Sequence, residues 1–421
     1  MAEREKKMML VAAMTVLILC FAFVVNLPVS TAAEKGPIKI GFIAPITGNF
    51  AQFGLDMVGG AKMFLETKNY TVAGRKVEVI WEDEGSGPDT AVTKARKLIK
   101  NDKVHLLAGI FINSSAYAVG AVAVELKTPL FITVSAGDDL TQRHSSPYVS
   151  RLSITGCDWG HVAGDYAYKE LGWRKAIGIG MDYAIGYEAI GGFQNVFESL
   201  GGKMIQKIWT PMNTMDFGPF IASMNPEADG IYDMVSGAMG IRFLKSKQES
   251  GPMSKKPVMA AGTVTDESFL PALGDTALGI LTAHNYSATL DNPKNKEFRE
   301  LCKKKLGKDS NLGASSCWLG MDWILRAIQN IDGDVENQDK LLKALRAVKM
   351  EDSIRGPLTM DEYGHPIQDY FIRRVDKVGT GYQNTVIKTY PKVSQFWTWD
   401  PKTYMSKPVY NRDNPPCKYC K

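Results

Sequence analysis

Histidine and cysteine are scarce, five and six in 421 residues. His105, His144, His161, His284 and His365 are scattered, with no two at i, i+4, so the usual helical histidine pair of a metal centre is missing. There is no Gly-x-Ser-x-Gly elbow and no Walker loop, and the glycines of "GLDMVGG" lack the dinucleotide-binding order after a strand. They read as close helix packing. The carboxylates Glu82, Asp83 and Glu84 sit at a charged strand end and read as solvated. No Lys/Arg run is interleaved with aromatics, and the net charge is only +5, which argues against a nucleic-acid partner. Internal repeats and low-complexity stretches are also missing. The usual marks of catalysis are thus absent, and neither enzymatic activity nor a metal or cofactor is expected.

What is present describes a globular chain of 45% hydrophobic and 23% charged residues with 39 glycines, too long for one ordinary core and suited to two lobes. Arg4, Lys6 and Lys7 precede an apolar run at 8–25, and small residues follow at Thr31 and Ala33. This reads as a secretory signal over 1–33, cut before Glu34. Because 18 apolar residues border on a membrane span, an uncleaved anchor is the alternative; Cys20, after bulky Leu19, is not read as a lipoprotein site. Either way the remainder works outside the cytoplasmic membrane, in the periplasm, where disulfides are permitted. Two pairs are expected: Cys302–Cys317, linking neighbouring helices, and Cys417–Cys420 in the tail. Cys157 is left unpaired and buried.

Beyond the leader, strand and helix patterns alternate. "IKIGFIAPITG" (38–48), "RKVEVIWEDEGS" (75–86), "VHLLAGIF" and "PLFITVSA" are strand-like, with helical spacing between them. The cycle restarts after "YVSRLSITG" with "KAIGIGMD", "KMIQKIWTP", "GIYDMVSG" and "PVMAAG". Continuous apolar strands alternating with helices predict α/β lobes with parallel, doubly covered sheets, and two such arrays in series predict two Rossmann-like lobes. A helical block follows, then "DYFIRRVD" and "NTVIKTYPKV" as an antiparallel pair joined by "KVGTGYQ". The Pro-rich, aromatic end reads as an arm on the surface.

The ordered motifs "GFIAPITGNFAQFG", "DTAVTKARKLI", "GIFINSSA", "SAGDDLTQ", "YVSRLSITG", "DYAIGYE" and "IRGPLTMDEYGHP" resemble the periplasmic substrate-binding proteins of branched-chain amino-acid-type ABC transporters, the type I or leucine/isoleucine/valine-binding-like family, over about residues 38–397. The resemblance implies three chain crossovers, near 152–155, 285–290 and 353–358. It implies one lobe of 38–153 plus 288–354, a second of 154–287 plus 355–397, and an arm at 398–421. It also implies a monomer that carries a small carboxylate to the membrane permease subunits of an ABC importer, the alternative being a ligand-binding sensor subunit.

The implied ligand contacts are Asn113, Ser114 and Ser115, then Ser135, Ala136 and Gly137, as neutral donors for a carboxylate at strand ends. Phe53 would line the cleft, Tyr183, Ile185 and Tyr187 would close over the ligand, and Met234, Ser236, Gly262 and Thr263 would complete the second side. Asp158 and Trp159 could reach the cleft or simply start a helix. Relatives that take α-amino acids carry an acidic residue near the place of Gly262–Thr263. "GTVT" has none there, which points to an aromatic or other apolar carboxylic acid rather than leucine.

Overall fold

The computed structural model describes residues 1–12 and 35–420. Most of the apolar N-terminal run and the expected cut before Glu34 lie outside the described residues. Among those described, no helix is long and apolar enough to cross a membrane.

Two sheets organise residues 37–420. The first is built from β1 (Ile38–Ala44), β2 (Thr71–Val72), β3 (Arg75–Asp83), β4 (Leu106–Gly109), β5 (Leu130–Ile132) and β6 (Val149–Arg151) in the order β2-β3-β1-β4-β5-β6. All its pairings are parallel except the short β2–β3 ladder. The second contains β7 (Lys175–Met181), β8 (Lys203–Thr210), β9 (Gly230–Met234), β10 (Val258–Ala261), β11 (Leu281–His284), β12 (Thr359–Met360), β13 (Pro366–Val378) and β14 (Gly381–Val393). Its order is β12-β13-β11-β10-β9-β7-β8, with β14 on β13. The apolar strands are buried on both faces, β9 along its whole length, because helices cover both sides of a parallel sheet. The expected α/β class with two parallel-sheet lobes is the observed one.

In each sheet the strand order reverses beside the first strand of its array: between β1 and β4, and between β7 and β9. Such reversals leave a crevice at the carboxyl ends of the strands. The helices Pro293–Leu306, Leu312–Gln329 and Gln338–Ala347 share one core with the first sheet, in which Trp323 is fully buried. The glycines of "GLDMVGG" do serve helix packing: a Cβ on Gly60 would lie 2.2 Å from the Ala314 carbonyl oxygen. The antiparallel pair is longer than expected. β13 and β14 are joined only by Gly379 and Thr380, where Gly379 has φ +58, a conformation that suits a tight hairpin.

The disulfide expectation needs correcting. Cys417 and Cys420 are bonded, but Cys302 and Cys317 are separate buried thiols, as is Cys157. Cys317 turns its sulfur to Thr133 Oγ1, 3.1 Å away beyond the end of β5, whereas Cys302 lies near Asp309 and Asp56. The two helices present their cysteines to different surroundings, and burial pushes both thiols up to about 12.

Candidate functional site

Where the carboxyl ends of the two sheets face each other, a small cavity of about 30 Å³ opens. The first sheet's loops supply Phe111, Asn113, Val134, Ala136, Ser153 and Ile154 to its wall. Trp159, Tyr183, Ile185, Met234, Ser236, Thr263 and Asn285 come from the helix start after the first crossover and from loops of the second sheet. Leu312 and Ser316 come from the first turns of the helix Leu312–Gln329. None of these described wall residues is charged.

Seven expected site residues meet here: Asn113, Ala136, Tyr183, Ile185, Met234, Ser236 and Thr263. The others do not line the cavity. Phe53 is core, stacked on Phe111 at 4.7 Å. Tyr187 donates to Asp182 Oδ1 at 2.5 Å and borders an outer groove instead. Gly262 is a packing glycine, since a Cβ there would lie 1.8 Å from the His284 ring. Ser135 Oγ donates to Asn113 Oδ1 at 3.1 Å, and the Gly137 carbonyl accepts from Arg151. Ser114 is half-buried, off the cavity wall, and Ser115 lies beside Glu84.

The start of the helix Asn113–Glu125 is not free for a ligand in the way the serine-rich turn suggests. Glu84 is fully buried and accepts the N–H groups of Phe111 at 2.9 Å and Ile112 at 2.8 Å. The expectation of a solvated Glu82–Asp83–Glu84 trio therefore fails at Glu84. Its carboxyl already occupies the electropositive helix entrance, and burial pushes it up to about 7. Glu82 pairs with Lys94 and Lys97, and Asp83 accepts from Ile46, Thr47 and Gly85.

Asn113 is also engaged. Its Nδ2 donates to Glu188 Oε2 at 2.7 Å, and its Oδ1 accepts from Ser135 and the Ala136 N–H. Glu188, on the helix Ala184–Ser199, accepts further from Tyr117 OH at 2.7 Å and the Asp138 N–H at 3.1 Å. Burial holds its carboxyl above the usual range, opposed by these donors. This side chain ties the second array to the first beside the cavity. A second tie lies at the far edge, where Asp266 Oδ2 accepts the Leu312 N–H at 2.9 Å and Ser268 donates to Asp56 at 2.8 Å.

Behind the wall lies an unexpected cation. Arg355 is 3% exposed and donates to Leu152 O, Gln368 Oε1 and, at 2.8 Å, Ser316 Oγ. Among the described residues no carboxylate pairs with it, and burial lowers it to about 10. A buried charge without a counter-charge is costly. Three wall residues add unmet polar atoms: Trp159 Nε1, Thr263 Oγ1 and Asn285 Oδ1 are buried with no hydrogen-bond partner among the described residues. Such orphans are uncommon in native proteins.

The profile of the periplasmic binding protein family matches residues 37–381. The chain belongs to that family. A relative called Leu/Ile/Val-binding protein homolog 6, from Brucella melitensis biotype 1, is 30% identical over 373 residues, 86% of this chain and 94% of its own length. A solute-binding protein of an ABC transporter from Rhodopseudomonas palustris BisB5, solved with 3,4-dihydroxybenzoic acid, superposes with a TM-score of 0.81 at 33% identity, covering 86% of this chain and 99% of that one. Another from Rhodopseudomonas palustris HaA2, solved with p-hydroxybenzoic acid, gives 0.80 at 30% identity, covering 86% and 98%. This periplasmic binding protein thus falls in a class of extracytoplasmic solute binders that serve ABC transporters, not in an enzyme class.

The second array also contains Asp233, fully buried, whose Oδ1 accepts the Val235 N–H at 2.8 Å. Burial raises it to about 8. A raised acid binds its proton more tightly folded than unfolded, so its contribution is present at low pH and lost as pH rises through about 8. Buried His161, lowered by burial to about 4, acts oppositely but only below its unfolded value of about 6.5. Between pH 6.5 and 8.5 the binding protein should therefore lose stability, and Asp233→Asn should lose less. Urea midpoints at the two pH values check this; equal slopes for both proteins would contradict it.

Proposed function

We propose that this binding protein holds one small carboxylic acid with an aromatic body in the cavity between its lobes, and delivers it to the membrane permease of an ABC importer as a monomer. The observation that carries the reading is the lone Arg355 guanidinium. Ser316 Oγ accepts from Arg355, lies on the cavity wall and keeps its own proton free to donate inward. A ligand carboxylate at that end would receive a hydrogen bond polarised by the cation and would supply the missing counter-charge. No wall carboxylate waits for an ammonium, so an α-amino acid would bury its own cation unpaired.

Phe111, Trp159, Tyr183, Met234 and Leu312 offer apolar surface to a ring. The unmet atoms of Trp159 and Thr263 suit a ligand acceptor, and Asn285 Oδ1 suits a ligand donor such as a ring hydroxyl. The Rhodopseudomonas relatives bound to hydroxylated benzoic acids support this chemistry. In this reading the lobes are 38–153 plus 288–354 and 154–287 plus 355–397. They part to admit the acid and close through Glu188 and Asp266.

Calorimetric titration with 4-hydroxybenzoate, 4-hydroxybenzamide and leucine tests the proposal. The acid should bind at least about 100-fold tighter than either of the others, a difference near 2.7 kcal/mol. Leucine binding as tightly as the acid would overturn it.

A further inference from the structure

Away from the cavity, one turn of the helix Gly156–Lys169 carries Cys157, Asp158 and His161, all buried, with one ligand atom from each within 4.8 Å of the other two. Cys157 and His161 stand at i, i+4, a spacing that sets both side chains on one helix face. Neither His161 ring nitrogen nor Asp158 Oδ1 has a hydrogen-bond partner among the described residues. A neutral imidazole carries one donor and one acceptor, and burying both unmet is uncommon in native folds.

The other Asp158 oxygen is fixed. Asp158 Oδ2 accepts from the Thr155 N–H at 3.0 Å and Tyr370 OH at 2.7 Å, with His365 Nε2 at 3.3 Å. The Cys157 N–H donates to Asp138 Oδ1 at 3.2 Å. These contacts hold the set in place much as outer partners hold metal ligands. The roof is the segment 395–404, where the second lobe passes into the C-terminal arm: Trp397, Trp399 and Tyr404 surround the His161 ring at 6.1, 5.4 and 6.1 Å, and the Gln395 carbonyl oxygen lies 3.9 Å from Cys157 Sγ. All four roof residues lie beyond the family match, which ends at 381.

We propose that Cys157, Asp158 and His161 bind one zinc-type divalent cation through thiolate, carboxylate and imidazole, with the Gln395 carbonyl, just before the arm, as the fourth ligand that pins the base of the arm against the helix Gly156–Lys169. A mixed sulfur, nitrogen and oxygen set suits zinc. On binding, the Cys157 thiol releases its proton to solvent, and thiolate plus carboxylate neutralise the 2+ ion. Ligand atoms around a tetrahedral zinc stand about 3.3–3.8 Å apart, so the set closes by up to about 1.5 Å when filled.

The test uses the full mature chain without a histidine tag, unfolded and refolded with cobalt(II), then with zinc. The expected result is about one cobalt per chain, a thiolate-to-cobalt charge-transfer band in the near ultraviolet, strong tetrahedral bands in the visible, and a higher melting temperature with zinc than with chelator. Cys157→Ser should abolish the charge-transfer band, and Cys417→Ser/Cys420→Ser should leave it intact. No bound metal in the refolded wild type would overturn the proposal, as would a charge-transfer band that needs Cys417 and Cys420. Should Cys157→Ser fail to fold, Cys302→Ala and Cys317→Ala, each combined with the tail variant, decide: a band intact in both leaves Cys157 as its source, and its loss in either would overturn the proposal.

Discussion

Arg355→Met is expected to cut the affinity for an aromatic acid by about 100-fold while changing the affinity for the matching amide by much less. A unit charge roughly 6 Å away, at an effective dielectric of about 20, contributes about 3 kcal/mol, which is about two powers of ten in Kd. Met fills a similar volume, so the lost partners are the acceptors Leu152 O, Gln368 Oε1 and Ser316 Oγ. Their loss should lower overall stability by about 1–3 kcal/mol. A merely structural role would lower acid and amide binding together. The ratio of the two affinities, measured by calorimetry on wild type and variant, separates these cases; an unchanged ratio would remove Arg355 from recognition.

Glu188→Ala should be almost as damaging, by another route. Its carboxyl gathers three donors, from Asn113, Tyr117 and the Asp138 backbone. All three belong to the first array, so in the proposed reading these bonds exist only while the lobes are closed. Losing them should cost about 2–4 kcal/mol of closure, read as roughly 30- to 1000-fold weaker ligand binding. The ligand-free melting temperature should move little, because an open protein never made these bonds. Glu188→Gln, which keeps the shape and one acceptor, should recover part of the affinity. A variant whose ligand-free melting drops while affinity stays at the wild-type value would show that Glu188 serves the core and not closure.

The alternation of apolar strands with helices was legible because burial on both faces leaves continuous runs such as "VHLLAGIF" and "PLFITV". The places just past those runs were legible too, which is why Asn113, Ala136, Met234 and Thr263 lie on the cavity wall. What escaped depends on contacts between segments far apart in the chain. Glu84 reads as solvated until Phe111 and Ile112 present their N–H groups to it from another loop. Arg355 sits inside a quoted motif, yet its burial arises only where Leu152, Ser316 and Gln368 converge. Ser153, Asn285, Leu312 and Ser316 reach the cavity from chain crossovers and a helix start, positions that hydrophobic period does not mark. The supposed Cys302–Cys317 bond failed for a related reason: neighbouring helices need not turn their cysteines toward each other.

A crystal structure of the protein grown with 4-hydroxybenzoate is the most direct measurement. The predicted result is a single acid between the two sheets, its carboxylate hydrogen-bonded to Ser316 Oγ and its ring against Trp159 and Tyr183. A carboxylate turned away from Ser316 and Arg355, or an acid bound outside the cavity, would contradict the account.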